Sequence, residues 1–388
     1  MTGPRVAGVG VTEFGRAPER TGRDLFGEAA ATAISDAGVD HSDVEAVYYG
    51  NFMGELAEHQ GHQGPMMAEA AGVQAPATRY ESACASSGAA VRQAVHDVRN
   101  GEADVLLIGG AERMTNLGTA GATDALAIAA DDLWEVGHGM TFPGAYALMA
   151  RAYFEEFGGS REDLAYIAVK NHANAVENEK AQYQQAISVE DVLDAPMVSA
   201  PLGLYDSCPI SDGASAAVIV SESYAAEHDL DAEVAITGTG QGGDRLALHD
   251  REHLATSAAA DDAAAEAYAD AGIDVERIDV AEVHDCFTIA EVLAIESLGL
   301  YEPGEGIGAA RRGETTTDGS VPINLSGGLK AKGHPVGATG VAQIVEVVHL
   351  LRGDHINSDA VPDATTGVTH NAGGTVASAL VHVLEVQQ

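Results

Sequence analysis

Positive charge is scarce in this chain: 20 Lys and Arg stand against 59 Asp and Glu, a formal net charge of −39 at neutral pH. No basic stretch exists to neutralise phosphates, which excludes binding to DNA, RNA or an anionic membrane surface by a cationic patch. Cysteine is equally sparse. Cys84, Cys208 and Cys286 form an odd, widely spaced set, which excludes a disulfide framework and fits reduced thiols in the cytoplasm. Apolar runs of about 18 residues are missing, so no membrane insertion is expected, and the start MTGPRVAGVG is no basic leader followed by an apolar core. The expected product is soluble and cytoplasmic. With 46% hydrophobic residues and 45 Gly, the chain is nonetheless composed like a folded protein rather than an acidic disordered one. Its self-repulsion weakens as salt screens it, which predicts adaptation to concentrated salt.

What is present is an internal echo. Residues 30–50 read AATAISDAGVDHSDVEAVYYG and residues 264–284 read AAEAYADAGIDVERIDVAEVH, with Asp36, Ala37, Gly38 and Asp40 matching Asp270, Ala271, Gly272 and Asp274. Each copy predicts an alanine-rich helix stopped by a glycine suited to a left-handed cap, followed by a strand. Strand-like segments at 5–14 and 231–240 open the two halves. The first echo is followed by a helix near 91–98 and the apolar strand VLLIGG; the second by a glycine-rich segment, a helix near 342–350 and a final β-rich stretch. This predicts a duplicated α/β fold, two sheets around a shared helical layer, with both functional segments facing one cleft. The expected division is 1–112 with 200–228 as an N-terminal half, 113–199 as an inserted loop or lid, and 229–388 as a C-terminal half. Within the insertion, TFPGAYALMARAYFEEFG reads as an amphipathic helix and Ser160 with Asp163 as the start of another.

Four stretches could carry chemistry. In ESACASSGAA, Cys84 precedes a helix, where backbone N–H groups favour a thiolate and small neighbours admit an acyl group; a buried cysteine is the plain alternative. In EVHDCFTIAE, a continuing strand would put His284 and Cys286 on one face, as a proton shuttle, the start of a zinc site or simple core. In KAKGHPVGATG, glycines turn the backbone tightly around His334; a phosphate loop is the alternative, although neither GxxxxGKS nor GxGxxG is matched. Lys330 and Lys332 there could offset the acidic field beside an anionic substrate. In THNAGGTVAS, Gly373 and Gly374 could present N–H groups to a developing negative charge or allow close packing, and Cys208 reads as structural.

Taken together, SACASSG, GMTFPGAYAL, CPISDGASAAV, HDCF and GHPVGATG resemble the thiolase family over nearly the whole chain, in particular its sterol-carrier-protein-type and archaeal acetyl-CoA acetyltransferase branch. The resemblance implies a five-layered αβαβα fold. It makes Cys84 the acyl-accepting nucleophile, His334 the histidine that activates it, and His284 an oxyanion donor where the wider family has asparagine. The oxyanion hole would draw on Cys84, His284, His334 and Gly373. The usual C-terminal catalytic cysteine is replaced by Asn371, a possible substrate contact, and the HDCF branch implies that Cys286 supplies the missing thiol.

The implied activity is reversible condensation of two acetyl-CoA to acetoacetyl-CoA through an acetyl-cysteine. A related acyl-CoA-condensing synthase, a long-chain 3-ketoacyl-CoA thiolase, and a non-catalytic lipid-binding or scaffold subunit stay open. Coenzyme A thioesters are then substrates, with no cofactor and no metal. Implied partners are a second copy or a tetramer, an OB-fold zinc-ribbon protein, and a complex with hydroxymethylglutaryl-CoA synthase.

Overall fold

The computed structural model describes residues 3–387. Nine strands make the main sheet: β1 (Pro4–Val11), β2 (Ala46–Gly50), β3 (Ala77–Tyr80), β4 (Val105–Glu112), β5 (Gly213–Ser221), β6 (Val234–Gly243), β7 (Val280–Val283), β8 (Thr366–Gly373) and β9 (Ser378–Val386). Their order is β3-β2-β4-β5-β1-β6-β9-β8-β7. The second half repeats the first in pairing. β2 runs parallel to β4 as β7 does to β8, and β4–β5 and β5–β1 are antiparallel as are β8–β9 and β9–β6. Even the edge strand β3, parallel to β2, has its counterpart in the parallel bridge of Ile323 to Ala281 beside β7.

The two half-sheets do not stay separate. They join at one residue pair, Arg5 opposite Ala235, where β1 meets β6. Both strands are the innermost of their halves, so the twofold repeat brings like edges together and leaves neither exposed.

The helices that layer this sheet are α1 (Gly22–Ala37), α2 (Ser86–Asn100), α3 (Phe142–Phe157), α4 (Arg161–Asn174), α5 (Ala258–Ala271), α6 (Thr288–Ser297) and α7 (Thr339–Arg352). The echoed caps are present: α1 ends at Gly38 with φ 67° and α5 at Gly272 with φ 70°. Alanine dominates these helices because each lies almost on its strand. A Cβ at Gly10 would stand 2.3 Å from the Ala29 carbonyl, and one at Gly240 only 2.0 Å from that of Ala263, so large residues on either side would push the layers apart.

Between the half-sheets run α2 and α7. Val91, Val95 and Val98 of α2 and Ile344, Val345 and Val348 of α7 pack with Leu106, Ile108, Ile219 and Ile236 in one fully buried cluster, each large aliphatic side chain stabilising by roughly 1.5–3 kcal/mol. Outer clusters hold α1 against the first half-sheet and α5 with α6 against the second. The resulting order is helix, sheet, helix, sheet, helix. The start of α2 touches the start of α7, where a Cβ on Gly340 would lie 2.3 Å from the Gly88 nitrogen. That crossing brings the segments preceding both helices, one carrying Cys84 and the other His334, to the same place.

The expected helix starts inside 113–199 are also present. Thr141 caps α3 by accepting from Gly144 N–H, and Ser160 caps α4 by accepting from Asp163 N–H. Among the described residues no helix is long and apolar enough to cross a membrane.

Candidate active site

Cys84 sits in the turn between β3 and α2. Ala83, just before it, has φ 50°, and Ser86 locks the turn, its hydroxyl accepting from Ser82 N–H and donating to the Ala83 carbonyl. The thiol is half-buried. Burial pushes it up to about 12, while the N–H of Gly374 and its own N–H pull the other way. A helix start was expected to favour the thiolate; desolvation outweighs it here, so the resting group is a thiol.

His334 is held from three sides. Its N–H donates to Ser211 Oγ at 3.0 Å, and Ser211 donates onward to Gln182 at 2.6 Å. Glu112, at the end of β4, accepts from the N–H groups of Phe52, Met53 and Gly337 at 3.0, 2.9 and 3.0 Å and from the Asn51 amide at 2.8 Å. It thereby clasps the GHPVG loop to the first half, although burial raises its own carboxyl to about 7. The His334 ring is the third anchor. Thr339 donates its hydroxyl to the Pro335 carbonyl at 3.0 Å, so its oxygen accepts from Nδ1–H of His334 at 2.7 Å. Nε2 therefore carries the lone pair, and burial lowers the ring to about 3.

The expected extended run through His284 and Cys286 does not form. β7 ends at Val283, and the chain turns sharply, with Asp285 N–H donating to the Val283 carbonyl at 3.1 Å. Asp285 causes the departure: its carboxylate accepts from Leu329 N–H at 2.6 Å, Lys330 N–H at 3.2 Å and the Asn171 amide at 2.7 Å, which draws it away from the sheet. His284 is 1% exposed, and burial, then His334 and His370, keep it well below the usual imidazole range.

These segments converge. Cys84 Sγ and one ring nitrogen each of His284 and His334 lie within 4.8 Å of one another, and the two rings meet edge to face at 4.9 Å between centroids. The same spacing could hold a soft metal ion. Cys286 is buried and raised well above the ordinary thiol range, by burial first and then by Cys208 and Cys84, against a hydrogen bond with Tyr146 that lowers it. Tyr146, from α3, donates its one hydroxyl hydrogen to the Gly374 carbonyl at 3.0 Å, which leaves its oxygen to accept from the Cys286 thiol, and stacks on Phe287 at 4.5 Å. One tyrosine thus ties the 113–199 segment to both Cys286 and the backbone beside Cys84.

The other expected residues take different places. It is the N–H of Gly374, one residue beyond Gly373, that points at the Cys84 sulfur; Gly373 lines the open cavity alongside. The ammonium of Lys330 donates to the Ser207 carbonyl at 2.7 Å and that of Lys332 to Glu346 at 3.0 Å, each residue 2% exposed. Both lysines are internal struts, because each faces a buried acceptor before any ligand could reach it. Asn371 hydrogen-bonds Cys84 and His284. Cys208 donates its N–H to the Cys286 carbonyl at 2.9 Å. Glu112, Tyr146, Ser211 and Thr339 escaped sequence reasoning; a lone acid closing an apolar strand was the mark of Glu112.

Residues 6–223 match the thiolase N-terminal domain and residues 240–386 the thiolase C-terminal domain-like family. The chain belongs to the thiolase family. Acetyl-CoA acetyltransferase of Methanothermobacter thermautotrophicus is 43% identical to this thiolase over 97% of the chain and 98% of that protein. Benzoylsuccinyl-CoA thiolase subunit BbsB of Thauera aromatica is 35% identical over 95% of the chain and 94% of the relative. Among solved structures, the Ltp2-ChsH2(DUF35) aldolase superposes with a TM-score of 0.84 at 26% identity, over the whole of this chain and 98% of the other.

Proposed function

We propose that this thiolase is an acetyl-CoA C-acetyltransferase that condenses two acetyl-CoA to acetoacetyl-CoA and coenzyme A, and runs the reverse thiolysis with the same groups. The observation that carries the reading is the meeting of Cys84, His284 and His334 within 4.8 Å. The Methanothermobacter relative supports the choice of acetyl-CoA.

In this reading Nε2 of His334 takes the proton as Cys84 sulfur attacks the thioester carbon. The oxygen gathers negative charge and is met by N–H donors, including the Gly374 amide; the C–S bond to coenzyme A then breaks and the Cys286 thiol gives its proton to the leaving thiolate. Cys286, now a thiolate, removes an α-proton from a second acetyl-CoA. The carbanion attacks the acetyl carbonyl, the bond to Cys84 breaks, His334 returns its proton to the Cys84 sulfur, and acetoacetyl-CoA leaves. Two neutral, buried imidazoles suit these steps, since one can accept and one can donate without a prior change of charge. Residues 113–199 cover the bound substrate, coenzyme A thioesters are substrates rather than cofactors, and the enzyme works in the cytoplasm as a dimer or tetramer. A second protein of the OB-fold zinc-ribbon kind is supported by the two-protein name of the aldolase neighbour; a complex with hydroxymethylglutaryl-CoA synthase rests on the family resemblance alone.

A second reading is turnover of longer 3-ketoacyl-CoA. Its support is the apolar wall that Phe52, Ile128 and Leu246 give to an open cavity of about 680 Å³ beside Ala83, Gly373 and Gly374, which suits an acyl chain. The test is to incubate the protein with acetyl-CoA, locate the acetyl group by peptide mass, and follow acetoacetyl-CoA. Acetylation of Cys84 with condensation is expected, and Cys286→Ala is expected to keep the first and lose the second. A folded sample that never acetylates Cys84 overturns the assignment; faster thiolysis of longer 3-ketoacyl-CoA selects the second reading.

A further inference from the structure

Where the wider family would place a second cysteine, this chain has Asn371, 1% exposed. Its amide nitrogen lies 3.0 Å from the Cys84 carbonyl and 3.3 Å from Nδ1 of His284. The amide cannot be turned over. A carbonyl only accepts, so the atom beside it must be Nδ2. Oδ1 points the opposite way, onto the first turn of α2, where a Cβ on Gly88 would stand 2.7 Å from it and one on Gly340 2.5 Å. The partial positive charge of a helix start suits that oxygen.

With one N–H given to Cys84, the other faces Nδ1 of His284, which must therefore accept. A neutral imidazole that accepts at Nδ1 carries its proton on Nε2. That Nε2 is buried and has no hydrogen-bond partner among the described residues, an N–H left unpaired, at a cost in free energy, until an acceptor arrives. We propose that Asn371 is a positioning residue that fixes His284 as an Nε2–H donor for the substrate's thioester oxygen. The two facing histidines then hold opposite tautomers: Thr339 makes His334 the acceptor and Asn371 makes His284 the donor. The proton on Nε2 also opposes a metal ion there, because that nitrogen would have to lose it first.

The kinetic consequence rests on the acyl-transfer reading; the tautomer does not. Full-length protein labelled with ¹⁵N-histidine is compared with Asn371→Asp and Asn371→Ala by long-range ¹H–¹⁵N correlation at pH 7, the His284 signals being assigned by their loss in His284→Gln. The wild-type ring is expected as the Nε2–H form. Aspartate can only accept, so Asn371→Asp is expected to convert it to the Nδ1–H form and to lower kcat/KM for acetyl-CoA about 100-fold or more, the scale of one lost oxyanion donor. Asn371→Ala is expected to mix the two forms with a smaller loss, and it serves in place of the aspartate variant should that one fail to fold. A wild-type Nδ1–H ring, or variants that keep both the Nε2–H form and full activity, overturns the proposal. The expected tautomers in a protein that never acetylates Cys84 would leave it standing and remove the acyl-transfer reading instead.

Discussion

His284 and His334 face each other edge to face at 4.9 Å, one held through Nδ1 by Asn371 and the other through Nδ1 by Thr339. The partners differ in kind, an amide donor against a hydroxyl acceptor, so two identical side chains receive opposite chemical duties. For His334 the duty is to accept the Cys84 proton. His334→Ala is expected to slow acetylation of Cys84 by about 10²–10⁴-fold, read by rapid quench and peptide mass. A rate within a few-fold of wild type would remove His334 as the base.

Thr339 offers a finer test of the same duty. Thr339→Val keeps the shape, removes the acceptor for Nδ1–H and leaves a buried donor unpaired at a cost of about 1–3 kcal/mol. Stability measured by urea unfolding is expected to fall by that amount and acetylation of Cys84 to slow, whereas Thr339→Ser is expected to restore both. Equal behaviour of the valine and serine variants would show that the hydroxyl is idle.

Burial lowers His334 to about 3 and His172, His370 and His382 to about 4, and holds His284 lower than the usual range. The unfolded chain protonates these rings near pH 6.5, so below that pH it binds protons the folded state refuses, and each ring withdraws roughly 1.4 kcal/mol per pH unit until its folded value is reached. Glu112 and Asp285, raised by burial to about 7, act in the opposite sense, since the folded state takes up their protons first. Among the largest shifts five rings stand against these two carboxyls; His96 is lowered and Asp206, Asp261, Glu282 and Glu296 are raised by less, so the rings dominate. Urea midpoints at constant salt are expected to fall steadily from pH 6.5 to pH 4.5; a flat or rising series would contradict this.

Lys332 and Glu346 form an ion pair in which both side chains are more than nine-tenths buried. Lys332→Met leaves the buried carboxylate with His355 alone, whose Nε2 lies 3.1 Å away, and is expected to cost about 3–5 kcal/mol, with KM for acetyl-CoA unchanged in the fraction that folds. Calorimetry and initial rates separate the two effects. A raised KM at unaltered stability would return this lysine to the ligand.

With 59 acidic residues against 20 cations, repulsion is expected to unfold the protein as salt is withdrawn, because the Debye length grows from about 3 Å at 1 M to about 30 Å at 0.01 M. Circular dichroism and turnover across a KCl series are expected to fall together. If both hold steady into low salt, the acidic surface plays no part in stability.

The duplication was legible because helix caps and strand patterns are local: Gly38 and Gly272 end equivalent helices by backbone conformation alone, and the apolar runs after them could only be strands. The turn at Asp285 was not, because the N–H groups that bend the chain there belong to Leu329 and Lys330, more than forty residues away. The same holds for Lys330 and Lys332. A lysine in an acidic chain reads as a free cation until the fold puts a carbonyl or Glu346 against it.

Composition and motif order therefore determined the architecture, the family and the reacting residue types, since these depend on periodicity and on which side chains the chain possesses. Only the tertiary structure decided which atoms act. Protonation and tautomer follow from burial and from hydrogen-bond partners distant in sequence, and the crossing of α2 and α7 at Gly88 and Gly340 is what carries Cys84, His284, His334 and Asn371 into mutual reach.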